Sequence, residues 1–204
     1  LEVRQGRYCK LVPTRTAPIL EIDGIKMHRS KDIDPLEDAR LKAELTIKGK
    51  DLVLDTCGGL GYSALGALKA GAEKVVSAEK NPGVILIRNL NPWLTDNPLS
   101  QKIHLVNKDV FRYIQELDDG SIDVILHDPP RFSSATGDLY GKAFYNQLFR
   151  VLKTNGRLFH YTGSPKRIKQ GTRFVANVQK RLERTGFCGL EFNQTLQGVL
   201  GLKP

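Results

Sequence analysis

Short apolar runs alternate along this chain with longer segments whose apolar residues recur every three or four positions. Leu52-Val53-Leu54, Val75-Val76, Ile103-His104-Leu105-Val106 and Ile122-Asp123-Val124-Ile125-Leu126 each run into an acid or a turn, as buried strands do. Helical spacing marks Leu36, Ala39, Ala43 and Leu45 before the first of these runs. It marks Tyr62 to Leu68, Gly83 to Leu90 (Val84, Ile85, Ile87 and Leu90 inward), Val110 to Leu117, Gly137 to Leu152, and a last helix ending at Arg184. Strands alternating with helices predict an α/β fold with a mostly parallel sheet and helices on both faces. Gly186 to Phe192 and Thr195 to Leu202 close the chain as adjacent strands, which predicts an antiparallel C-terminal edge.

Punctuation agrees with that reading. Asp23-Gly24 between Ile19–Ile22 and Ile25–His28 predicts a hairpin, because these residues suit the two-residue turn. With Tyr8 to Val12 as a further strand, residues 1–33 form a small N-terminal β appendage, either structural or holding substrate, and residues 34–204 the main domain. Asp34 caps a helix that Pro35 opens and acids follow. Asn91 to Gln101 reads as a loop with Trp93 packed beneath it.

Composition narrows the partners. The 204 residues are 40% hydrophobic and 26% charged, enough for one well-buried domain and a small appendage. No apolar run approaches the roughly 20 residues that span a bilayer, and no signal peptide is visible, so no membrane partner is expected. The chain opens at Leu1 without a methionine, compatible with a missing upstream segment. Cys9, Cys57 and Cys188 are odd in number and far apart, which suits a reducing cytoplasm better than a disulfide framework or a metal site. A net charge of +9 points to a polyanionic partner.

The chemistry concentrates after two of the strands. Leu52 to Gly61 is strand, acid and glycine-rich turn, and Tyr62 opens a helix whose unpaired N–H groups face the turn. A nucleotide-like cofactor suits that place, although an ordinary strand–helix turn has the same residues. Gly59-Leu60-Gly61-Tyr62-Ser63-Ala64 fits the dinucleotide pattern, and Glu79 lies about 20 residues on, where a carboxylate can accept two ribose hydroxyls. A dinucleotide dehydrogenase would need a second mononucleotide-binding half, which the sequence lacks. In a sheet of this kind ligands sit beyond the carboxyl ends of the strands where strand order reverses, so the turns at Asp55 and Asp128 are expected to share a crevice.

From Asp55 onward the stretch resembles D-x-G-x-G-x-G, the first motif of class I S-adenosylmethionine-dependent methyltransferases, with Cys57 for the first glycine and Gly58 added. The helix before the first strand is also common in that superfamily. Residues 34–204 resemble an uncharacterised group of archaeal predicted methyltransferases. The resemblance implies a Rossmann-like class I methyltransferase fold and S-adenosylmethionine as cofactor. It places the cofactor at Asp55, Thr56, Cys57, Gly58, Gly59, Gly61 and Tyr62, at Glu79 and Lys80, at Asp109 and Val110, and at Asp128. Asp109 would lie beside the adenine amino group, or simply cap the following helix.

Asp128-Pro129-Pro130 resembles the D/N-P-P-aromatic motif of methyltransferases acting on nitrogen. Arg131 takes the aromatic place and Phe132 follows, a D-P-P-x-F form shared with some RNA methyltransferases, including ones acting on base carbon. Prolines fix the turn, so that Asp128 and a main-chain carbonyl can accept hydrogen bonds from an amine while Phe132 stacks on a planar base. Asp128, Pro129, Pro130 and Phe132 form the catalytic set. Residues 123–128 and 139–153 also resemble the matching part of spermidine synthases, which transfer an aminopropyl group from decarboxylated S-adenosylmethionine; the basic charge opposes a polycationic substrate.

Substrate contacts are expected at His28, Arg29, Arg131, Lys166 and Arg167, and the wider basic segment (Lys169, Arg173, Lys180, Arg181, Arg184) can meet phosphates or form a solvated helix face. His127 and His160 read as packed residues. The expected activity is methylation of a nitrogen, or a carbon, of an RNA base, with tRNA the first candidate. Aminopropyl transfer, methylation of a protein or small molecule, and an RNA-binding module with a relict cofactor fold are the alternatives.

Overall fold

A computed structural model describes residues 1–163 and 168–204, with side chains outside 164–172. Lys166 and Arg167 therefore lie outside the described residues. The chain divides into two compact units, Leu1–Val110 and Phe111–Pro204.

The first unit opens with a four-stranded antiparallel sheet, β1 (Glu2–Gln5), β2 (Arg7–Val12), β3 (Ile19–Ile22) and β4 (Ile25–Lys26), in sequence order. Asp23 and Gly24, both at positive φ, form the expected two-residue turn, and Ile22 pairs with Ile25 across it. Asp23 also receives the Tyr8 N–H at 2.9 Å and the Arg7 Nε–H at 2.7 Å, which together hold its carboxyl below the usual range. Asp34 caps α1 (Pro35–Glu44) by accepting from the N–H groups of Leu36 and Glu37. Next come β5 (Leu52–Asp55), α2 (Tyr62–Lys69), β6 (Lys74–Ala78), α3 (Pro82–Asn89), α4 (Pro92–Thr95) and β7 (Ile103–Val106). β5, β6 and β7 run parallel, with Asp55 opposite Ser77 and Ala78 opposite Val106. Cys9, Leu20, Ala39, Leu60, Tyr62, Val84 and Ile87 share one core, so the N-terminal sheet is packed against α3 rather than hanging free.

The second unit continues from α5 (Val110–Tyr113) through β8 (Ile122–His127), α6 (Lys142–Val151), β9 (Leu152–Tyr161), α7 (Ile168–Thr185), β10 (Cys188–Asn193) and β11 (Gly198–Leu202). β8 and β9 are parallel, whereas β11 pairs antiparallel with β9 and with β10. Strands β5 to β11 belong to one seven-stranded, mostly parallel sheet with the antiparallel C-terminal edge expected from the sequence.

Several local expectations are corrected. Leu45 and Leu90 are exposed, because each follows the last turn of its helix and leaves the apolar stripe. Trp93 is 45% exposed; Asn91 to Gln101 forms α4 and a 3-10 turn, and Leu94, one position on, takes the buried place. Asn155-Gly156, a pair that suits a turn into a strand at Arg157, lies inside β9 instead: the strand begins at Leu152 and its pairing with β8 shifts register there. The basic sequence 164–171 reads as a loop ending at Gly171, but α7 begins within it, at Ile168.

Candidate functional site

The first group of site residues is built on β5, its glycine turn and the ends of β6 and β7. Asp55 ends β5 fully buried, and its Oδ2 accepts from Ser77 Oγ at 2.8 Å, its partner across the parallel ladder. Thr56 is buried and directs its hydroxyl at Cys57 Sγ, 3.8 Å away. The turn then closes on itself: Gly58 N–H donates to Ala78 O at 2.8 Å and Gly61 N–H to Gly58 O at 2.7 Å.

The glycines answer to different neighbours. A Cβ on Gly58 would lie 2.4 Å from Ser77 Oγ and 2.7 Å from Arg88 Nη1. One on Gly61, at φ +86°, would meet Leu94 at 2.8 Å and Arg88 Cζ at 3.1 Å. These two glycines let the turn settle on a buried guanidinium. Gly59 differs, because at φ +47° its missing Cβ would point into open space, with only Cys57 O at 3.9 Å. That is the side on which a ligand can approach the backbone.

Arg88 is the residue the sequence reading missed. It ends α3 almost fully buried, donates to Ser77 Oγ at 3.0 Å, and is held charged by Asp55 and Glu79 against a burial that pushes its pKa down. Its signal was an arginine four residues after Val84, on the buried stripe of an otherwise apolar helix.

Glu79 follows β6 and fastens two backbone segments. Oε2 accepts from Gly59 N–H at 3.0 Å and Oε1 from Asn81 N–H at 2.8 Å, which ties the glycine turn to the start of α3. A carboxylate has about four acceptor sites, so this geometry leaves capacity for two hydroxyl donors. Lys80 Nζ lies 3.0 Å from Asp109 Oδ2 at the solvent side, and Val110 is buried beneath. Such an exposed pair contributes little stability, but it places an ammonium and a carboxylate beyond β6 and β7.

The remaining expected residues of this unit have structural partners. Tyr62 is buried, donates to Pro18 O at 2.9 Å and accepts from Asn91 Nδ2 at 3.1 Å, while burial pushes its phenol up to about 12. Its backbone N–H, at the N-terminus of α2, is what can meet a ligand. His28 packs with its ring tilted against Tyr62, 5.3 Å between centroids, and accepts the Leu20 N–H, and Arg29 pairs with Asp38, which also holds Lys42. The groove between α1 and α2 is lined by Asp34, Glu37, Arg40 and Lys69 and includes none of the turn residues except Tyr62.

The second group follows β8. Asp128 is half-buried, Pro129 is buried, and Pro130, Arg131 and Phe132 are exposed. Tyr140 Oη donates to Pro130 O at 2.9 Å, and Thr136 Oγ1 to Arg131 O at 2.8 Å. Arg181 Nη1 in turn donates to Tyr140 O at 3.1 Å. Phe132 is 56% exposed, edge-on to Tyr140 at 5.5 Å and 5.6 Å from Phe174 of α7. Tyr140 and Phe174 were not legible as site residues, because only the fold brings them to the turn.

Beneath the turn lie two buried histidines, their rings 4.4 Å apart. His127 Nε2 is 3.0 Å from Leu139 O, which can only accept, so that nitrogen carries the proton. His160 Nε2 is 2.7 Å from Tyr145 Oη. Burial lowers His127 to about 4 and His160 well below the usual range, so both are neutral at pH 7 and act as packed hydrogen-bonding residues, as their strand-end positions predicted.

No protein-family model matches the chain. It is 42% identical over 203 residues to the uncharacterized protein MJ1233 of Methanocaldococcus jannaschii, covering 99% of this chain and 69% of that protein. Over 161 residues it is 29% identical to ribosomal RNA large subunit methyltransferase I of Vibrio vulnificus, covering 72% of this chain but only 40% of that relative. A solved spermidine synthase in complex with the transition state analogue AdoDATO matches 100% of this chain and 73% of its own, with a TM-score of 0.74 at 17% identity, which establishes a shared fold.

Proposed function

From its place among the class I methyltransferase-like proteins, in one family with the Methanocaldococcus jannaschii relative, we propose that this chain transfers a methyl group from S-adenosylmethionine to a nitrogen of an RNA base. The observation that carries the cofactor half is Glu79: its two oxygens already anchor the glycine turn and keep two acceptor sites for the vicinal hydroxyls of a ribose. Asp55, Thr56, Cys57 and Gly58 line the same turn, Gly59 offers an open backbone, and Lys80, Asp109 and Val110 stand beyond the neighbouring strands. These residues fit the group, and when bound it supplies a methyl on a sulfonium with a thioether as leaving group.

The substrate half rests on the Asp128 turn. The Asp128 carboxylate accepts a hydrogen bond from an exocyclic amine, which turns the nitrogen lone pair outward and receives the proton the amine sheds. Tyr140 holds the Pro130 carbonyl fixed, so the turn meets the base preorganised. Phe132 offers an exposed ring for stacking. Nitrogen is favoured over carbon because carbon methylation by covalent attack needs a thiolate beside the base, and no cysteine belongs to the Asp128 turn: Cys9 is buried with its thiol pushed up by that burial, Cys57 sits in the glycine turn and Cys188 opens β10. The name of the Vibrio relatives, ribosomal RNA methyltransferases, supports RNA, and tRNA remains the first candidate within it. Decarboxylated S-adenosylmethionine is the competing cofactor, favoured by the spermidine synthase fold alone.

Calorimetry separates these readings. Binding of S-adenosylmethionine tighter than its decarboxylated form and NAD supports the proposal; tightest binding of either competitor overturns it.

A further inference from the structure

The outer face of α7 has an arrangement not explained by folding. From residue 173 onward the helix buries Val175, Val178 and Leu182. At about 100° per residue, Arg173, Asn177, Lys180 and Arg184 fall within roughly 60° of one another, opposite that buried face, and all four are exposed. The ridge they make is about 16 Å long. Glu183 is the one acid of this stretch, and it lies on one flank of the ridge, about 60° round the helix from Lys180 and about 100° from Arg184.

Some exposed cations elsewhere have a carboxylate partner: Arg7 has Asp23, Lys10 has Glu2, Arg40 has Glu37 and Glu44, Lys80 has Asp109, and Lys153 has Asp123. Among the described residues no ion pair involves Arg173, Lys180 or Arg184. Three like charges on one line, left without counter-charges, raise the local potential and favour a polyanion. One flank of the ridge leads to the Asp128 turn: Phe174 meets Phe132 and Tyr140 at 5.6 and 5.7 Å, and Arg181 bonds the Tyr140 carbonyl.

We infer that this face of α7 binds the backbone of an unpaired RNA strand, with phosphates on Arg173, Lys180 and Arg184 and one splayed base on the exposed ring of Phe132. The inference rests on the reading of the substrate as RNA and specifies the form in which it is engaged. A paired, stacked base cannot present its face to Phe132, whereas a single strand can give up one base for an aromatic ring and keep its phosphates on a basic track.

The test is fluorescence anisotropy of a labelled mixed-sequence oligoribonucleotide, single-stranded or annealed to its complement, over a range of salt. Neutralising three phosphates on a single strand contributes about 2 to the slope of log affinity against log salt. The triple variant Arg173→Gln, Lys180→Gln, Arg184→Gln should lose that slope with an unchanged melting temperature, since all three side chains are exposed. Phe132→Ala should keep the slope and lose affinity by roughly ten- to a hundredfold, and the duplex should bind more weakly and ignore that substitution. An unchanged slope in the triple variant, or a duplex bound as tightly as the single strand, overturns the inference. Either result in a protein that still methylates RNA refutes the α7 surface alone. Strand binding as expected without methyl transfer to any RNA refutes the activity alone.

Discussion

The buried histidine pair makes stability sensitive to mild acid, and the effect can be worked out. Folded His127 titrates at about 4 because burial disfavours its charged form, whereas an unfolded histidine titrates near ~6.5. Below pH 6.5 the unfolded chain takes up the proton first, so the folded state loses stability as pH falls from 6.5 towards 4 and keeps it all above. At about 1.4 kcal/mol per pH unit, His127 alone contributes a loss of about 2 kcal/mol by pH 5 and about 3 kcal/mol by pH 4. His160 adds to this in the same direction, and the first protonation opposes the second because the rings are in contact. Ordinary carboxylates titrate near about 4, so the window from pH 6.5 to 5 belongs mostly to histidine. Urea unfolding at half-unit steps of pH reads the slope. In His127→Gln the amide still donates to Leu139 O but cannot titrate, so the slope over that window should fall. A wild-type stability flat from pH 7 to 5, or a variant with an undiminished slope, would refute the buried-neutral assignment.

Four further substitutions probe the site. Gly58→Ala places a methyl against Ser77 and Arg88 and should lower stability by about 1–3 kcal/mol. Gly59→Ala faces open space and should lose only about 1 kcal/mol to its left-handed backbone, yet weaken S-adenosylmethionine binding more; urea titration and calorimetry compare the two. Arg88→Met leaves the buried Asp55 without its nearby cation and should cost about 3 kcal/mol. Adding Asp55→Asn should restore part of that loss, and strictly additive effects in the double-mutant cycle would show that the two are not coupled. Tyr140→Phe removes the bond to Pro130 O, worth about 1 kcal/mol of stability. It should lower kcat several-fold with the cofactor Kd unchanged; an unaltered kcat would take Tyr140 out of the turn's support.

Much of the fold was readable because local chemistry and global topology agree. Asp23-Gly24 and Asp34-Pro35 specify their turn and helix start through backbone requirements that no tertiary contact overrides. The strands β5 and β8 announce themselves by continuous apolar runs, which only burial on both faces demands. β1 was not legible, since Glu2-Val3-Arg4-Gln5 is mostly polar and owes its form to pairing with β2. The glycine turn was legible as a turn but not in its detail. Gly58 and Gly61 accommodate Arg88 and Leu94, which come from elements some thirty residues later in the chain, while Gly59 keeps the open face. Phe132, Tyr140 and Phe174 likewise converge from separate segments, and spacing along the sequence does not encode that convergence.

Transfer of label from methyl-labelled S-adenosylmethionine to total RNA tests the central claim most directly. The account predicts that wild-type protein puts label into RNase-sensitive material, and that Asp128→Ala abolishes transfer while binding the cofactor nearly as well as before. Label in protein or polyamine instead of RNA, or undiminished transfer by Asp128→Ala, would contradict it.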